Sequence, residues 1–221
     1  VEAYLSRLFC LNEDENKKFA VRKIFIVLCN ILIYTVQHTC SKEGEKDHIL
    51  SEVPFLSKYV PGKNKKPFLG EGYYFWDYNE GYAKVWGKNH YSNSFYVFEA
   101  DVKIEEGNGD YYLDLAGNRK HLTGFVELLQ EFELIHEEGT KGIDLCYIID
   151  YLRNKCPEDV FPFKVIRAVD YHNDEKAGIK IDFNDKESNS GFTILNPRIL
   201  ISYKSKTDIV YQIQPFIKFE S

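Results

Sequence analysis

Methionine is absent from the 221 residues, tryptophan occurs only twice, and the five cysteines (Cys10, Cys29, Cys40, Cys146 and Cys156) are odd in number with no C-x-x-C pair. That cysteine usage excludes a disulfide framework and a thiolate zinc site, and it suits a reducing compartment. A cytoplasmic protein without a metal centre is therefore expected. Long hydrophobic runs are missing too: the most apolar stretch, residues 24–36, is interrupted by Cys29, Asn30 and Thr35 and falls short of the about 20 residues a membrane helix needs. It lies inside the chain behind the charged run 12–18, which is the wrong setting for a signal peptide. Basic charge is in deficit, with 28 Lys and Arg against 34 Asp and Glu. Neither general nucleic-acid binding nor attachment to an anionic membrane is expected, because both depend on cationic patches. No repeat, low-complexity tract or Pro/Gly/Ser-rich linker divides the sequence, so one domain over 1–221 is expected.

What is present points to strands. Aromatic residues reach 15%, with 16 Tyr and 16 Phe, a composition that favours β-structure and aromatic-lined clefts over a helical bundle. Three-to-four apolar spacing predicts helices over 2–10 and 14–29, forming a helical N-terminal extension over 1–30. A buried strand follows over 31–39, ending at His38 and Thr39, then a short polar helix over 42–50 and a proline- and lysine-rich loop over 61–67 that could serve as a flap. Glycine punctuation at Gly70 and Gly72 opens an aromatic strand, with a helix over 79–87 behind it. Strands are predicted over 94–104, 113–115, 165–170, 199–203 and 209–219, helices over 120–137 and 144–154, and a polar loop over 185–190.

Three ordered motifs sit in this pattern: Val36-Gln37-His38-Thr39 at a strand end, Gly70-Glu71-Gly72-Tyr73-Tyr74, and Ala83-Lys84-Val85-Trp86. Together with 149–153, 165–168 and 196–201, they resemble the ADP-ribosyltransferase-like proteins that bacteria use as toxins and defence effectors. The resemblance spans about 31–217 and is strongest over 68–87. It implies an α+β fold in which two β-sheets pack around an NAD-type cleft with flanking helices. It also implies NAD as substrate, with ADP-ribose passing to a protein or nucleic-acid target. By the same resemblance His38 bonds the adenosine-side ribose, Thr39 supports the strand end, Tyr73 and Tyr74 belong to the pocket with Tyr74 stacked on nicotinamide, and Gly70 and Gly72 let the backbone approach the ligand. Plainer readings exist for each: a hydrogen-bonded structural histidine, a turn leading into a core strand, and core tryptophans at Trp76 and Trp86.

The sequence departs from the family pattern in two places. Cys40 follows Thr39, and no Gly separates His38 from Thr39 where the family has His-Gly-Thr. The late strand that usually supplies a Glu or Gln to the reacting ribose offers Arg198 or Leu200 instead, and an arginine opposes a developing cation. Gln212 and Gln214 are the candidate replacements for the missing group and join Tyr74 as candidate catalytic residues, with Arg198 assigned to the cofactor pocket. Two functions stay open: an NAD-dependent transferase, or a catalytically degenerate member of the fold that binds a nucleotide or a partner. A hydrolase is disfavoured, since Gly-x-Ser-x-Gly, His-Glu-x-x-His and phosphate-loop patterns are absent and the pairs Glu105/Glu106 and Glu137/Glu138 suit solvated faces.

Overall fold

The computed structural model describes residues 31–60, 66–105, 111–135, 144–170, 180–182 and 192–221. The two predicted N-terminal helices, most of the 61–67 loop and the 185–190 loop lie outside the described residues. In chain order the elements are β1 (Ile31–Ser41), α1 (Lys46–Glu52), β2 (Leu56–Ser57), β3 (Gly72–Asp77), α2 (Glu80–Tyr91), β4 (Phe95–Glu105), β5 (Tyr112–Asp114), α3 (Arg119–Glu131) and α4 (Leu145–Lys155). Then come β6 (Val165–Val169), β7 (Lys180–Asp182), β8 (Phe192–Ile194), β9 (Ile199–Tyr203), a 3-10 turn (Lys206–Asp208) and β10 (Val210–Glu220).

The architecture is α+β, but hydrogen bonding does not form two separate packed sheets. Eight strands join one mostly antiparallel sheet in the order β10-β4-β1-β3-β9-β6-β5, with β2 beside β3, while β7 and β8 make a small hairpin. The reason is a narrow bridge. β1 pairs with β4 along its whole length, yet with β3 through only Val36↔Asp77 and Gln37↔Trp76. Two sheet halves are thus held together by one short seam, and beyond it β1 and β3 part.

Local chemistry sets the element ends. The Asn79 side chain accepts the Tyr82 N–H at the start of α2, and Asn118 accepts the Lys120 and His121 N–H groups at the start of α3. α2 stops where Ser92 and Asn93 take positive φ. α3 was expected to reach 137, but it ends at Glu131 and Glu133 is left-handed. The buried stripe of α4 includes a cation. Cys146, Ile149 and Arg153 join Ile148 and Leu152 in facing inward, whereas Tyr147 is only half-buried. The largest apolar cluster sits between α3, α4 and the β5/β6 side of the sheet, where Leu113, Phe125, Ile149, Leu152 and Ile166 meet.

A buried charge cluster ties the two ends of this layer. Arg167 on β6 donates to Asp77 at the end of β3 (2.7 Å) and to Asp114 at the end of β5 (3.0 Å), and its guanidinium lies 5.5 Å from the Tyr34 ring of β1. Asp114 also accepts the Ala116 and Gly117 N–H groups, fixing the turn into α3. Among the described residues no helix is long and apolar enough to cross a membrane.

Candidate functional site

Where β1 and β3 part, a cleft of about 970 Å³ opens, a size that suits a nucleotide-scale ligand. His38 spans the opening. Its Nδ1 bonds the Tyr74 carbonyl (2.9 Å) and its Nε2 lies 3.2 Å from the Phe55 backbone N–H. An amide N–H only donates, so Nε2 is the acceptor and Nδ1 carries the proton, a tautomer set by the two partners together. One imidazole bond thus crosses from β1 to β3 beyond Gln37 and Trp76, and the other reaches Phe55 just ahead of β2. Burial holds it neutral, down to about 4, partly countered by the Tyr74 bond.

His38 and Tyr74 both line the cleft, but neither stands as the resemblance implies. With both ring nitrogens bonded inside the protein, His38 has none left for a ribose. The Tyr74 hydroxyl accepts the Leu69 N–H (2.7 Å) and donates to the Gly70 carbonyl (2.6 Å), so the side chain closes its own turn. Burial pushes this phenol far above the ordinary tyrosine range. Tyr74→Phe is therefore expected to cost about 1–2 kcal/mol of stability, since it orphans the Leu69 N–H. Urea unfolding measures the loss, and an unchanged midpoint would refute this role for the hydroxyl. Thr39 donates to the Ala83 carbonyl of α2 (2.9 Å), which anchors the helix to the strand end, and Tyr73 does not line the cleft.

The two motif glycines answer to packing rather than to a ligand. Gly70 has φ +76°, and a Cβ there would strike the Asp150 carboxylate of α4. A Cβ on Gly72 would lie 2.6 Å from Ser202 Oγ and 2.7 Å from the Tyr203 carbonyl on β9. The space beside both is already filled by the protein. α4 clamps the turn: Asp150 accepts the Glu71 N–H (2.9 Å), and Arg153 donates to the Leu69 and Glu71 carbonyls (3.4 and 3.3 Å). Arg153 is only 8% exposed, and burial lowers its proton affinity.

Gln212 and Gln214 lie outside the site. Both are exposed on β10, with β4 and β1 between that strand and β3, and neither lines the cleft. As candidate catalytic substitutes they are thus misplaced: the outermost strand of the sheet stands two strands away from the cleft between β1 and β3. Arg198 and Leu200 do line the cleft. Arg198 is paired with Asp170 at 2.6 Å, and its guanidinium lies 5.6 Å from the Trp76 ring centre. Cys40 also faces the cleft as a buried thiol, pushed up to about 12 by desolvation, and so is poorly suited to nucleophilic chemistry.

The feature that sequence reasoning missed is an aromatic wall. The Trp86 ring stacks on His90 at 3.7 Å and 18°, and Trp76 lies 5.9 Å from Trp86. Trp86 was expected in the core, yet it remains 37% exposed and, with His90, lines the cleft. Its spacing of four from His90 on α2 was the available signal, since such positions share a helix face. Lys58 and Lys66 line the same cleft, the latter paired with Asp144 at 2.8 Å. No group of three or more potential metal ligands occurs among the described residues. No protein-family model, curated protein or solved structure matches this chain.

Proposed function

We propose that this chain is an ADP-ribosyltransferase-like protein that binds an NAD-type dinucleotide in the cleft between β1 and β3 and holds it without splitting it. The observation that carries this reading is the exposed Trp86–His90 stack, backed by the buried Trp76, facing a cleft of nucleotide size with Arg198 at its side. Flat aromatic faces stack on bases, and cations hold phosphates. Cleavage of the glycosidic bond needs a group that stabilises positive charge on the ribose. The residue just ahead of β9 is an arginine already paired with Asp170, and Gln212 and Gln214 are too remote to replace the missing Glu or Gln.

Trp86→Ala is expected to weaken NAD binding about tenfold, the scale of one aromatic stacking contact. Calorimetric titration of both proteins with NAD tests it. Equal affinities would remove the wall from the binding site, and no binding by the unaltered chain would end the reading.

Turnover, with transfer of ADP-ribose to a protein or nucleic-acid target, is the second reading. In its favour stands Glu43, a carboxylate lining the cleft just after β1, with no ion-pair partner among the described residues. Release of nicotinamide from NAD that is lost in Glu43→Gln would establish it over the first reading.

A further inference from the structure

We infer that the cleft recognises the adenosine-diphosphate half of its ligand and offers nothing to the nicotinamide half, so that ADP-ribose is held at least as well as NAD. This rests on the dinucleotide reading above and specifies which part of the molecule is read.

The nicotinamide of NAD carries a permanent positive charge. Stacked on Trp76 it would approach a guanidinium that already lies against that ring, with Arg198 at 5.6 Å. Cations attract the face of an indole, but two on the same face repel each other. A carboxylate could offset the charge, yet Asp170 is engaged with Arg198 at 2.6 Å, and the Asp144 side chain is 58% exposed to solvent. Glu43 is exposed to water, where a charge is screened. His38, the polar side chain at the strand opening, is a neutral imidazole with both nitrogens occupied.

The other half of the dinucleotide meets suitable partners. Adenine is neutral and flat, so the Trp86–His90 stack takes it without a charge conflict. The diphosphate is met by Lys58, which has no ion-pair partner among the described residues, and by Lys66, whose partner Asp144 is well exposed and readily exchanged for a phosphate. ADP-ribose keeps all of these features and lacks the cation.

The decisive comparison uses two mononucleotides of similar size, AMP and nicotinamide mononucleotide, with ADP-ribose and NAD alongside, titrated calorimetrically into the unaltered chain. AMP should bind at least tenfold more tightly than nicotinamide mononucleotide, and ADP-ribose at least as tightly as NAD. The double variant Arg198→Gln/Asp170→Asn removes both charges without stranding a carboxylate, and it should narrow the AMP preference to less than threefold. If that variant does not fold, the comparison on the unaltered chain decides alone. Nicotinamide mononucleotide binding as tightly as AMP, or NAD binding tenfold more tightly than ADP-ribose, would overturn the inference and leave the dinucleotide reading intact. Failure of all four ligands to bind would overturn both.

Discussion

Arg167→Met is expected to lower folding stability by about 3–5 kcal/mol, the cost of leaving buried carboxylates without their cation. Arg167 is, among the described residues, the single positive group paired with Asp77 and Asp114, at 2.7 and 3.0 Å, and all three side chains are at least 85% withdrawn from solvent. Burial alone would weaken the proton affinity of the guanidinium, but the two carboxylates outweigh it and hold the proton more firmly than usual. Methionine approximates the volume and removes the charge, so the effect is electrostatic rather than a cavity. Denaturant unfolding of Arg167→Met and of Arg167→Met/Asp77→Asn separates the terms. The double variant should recover part of the loss, because one stranded charge is gone. A loss below about 1 kcal/mol in the single variant would mean that water reaches the carboxylates and that the cluster does not tie β3 to β5.

The second large effect is acid sensitivity centred on His38. Its ordinary value is about 6.5 and burial lowers it to about 4 in the folded chain. Between these values the unfolded chain takes up a proton that the folded chain refuses. Stability contributed by the neutral imidazole is therefore full above about pH 6.5 and declines as the pH falls towards 4, by roughly 3 kcal/mol over the whole window. The structural reason is the Phe55 N–H: a proton on Nε2 would set two donors against each other. His38→Gln keeps a donor and an acceptor but does not titrate. Urea unfolding at pH 7 and pH 4.5 should show a decline in the unaltered chain that exceeds the variant's by about 2 kcal/mol. Parallel declines would show that the ring is not held neutral across the β1/β3 opening.

Much of the secondary structure was legible because it is a local property. Alternation and β-branching located β1, β4, β6, β9 and β10 to within a few residues, and three-to-four spacing located α3 and α4. The misses have local causes as well. The β7/β8 hairpin strands and β2 are two or three residues long, too short to show a period. The inward turn of Arg153 contradicts hydropathy, because what draws it in is a pair of backbone carbonyls from another part of the chain.

The site was legible only in outline. The residue types alone placed a histidine near the end of β1, which runs on to Ser41, a glycine-rich turn ahead of an aromatic strand and an arginine immediately before β9. Their roles were decided by partners distant in sequence. Asp150, Ser202 and Tyr203 turn the Gly-x-Gly motif into a packing device, and Phe55 and Tyr74 consume both nitrogens of His38. Strand order leaves Gln212 and Gln214 on the far edge, while the two-residue seam between β1 and β3 opens the cleft and Trp86 turns towards it. Periodicity is written into neighbouring residues and can be read along the chain. A hydrogen bond, an ion pair or a cleft exists only once separate segments meet, so tertiary structure alone chose the partners.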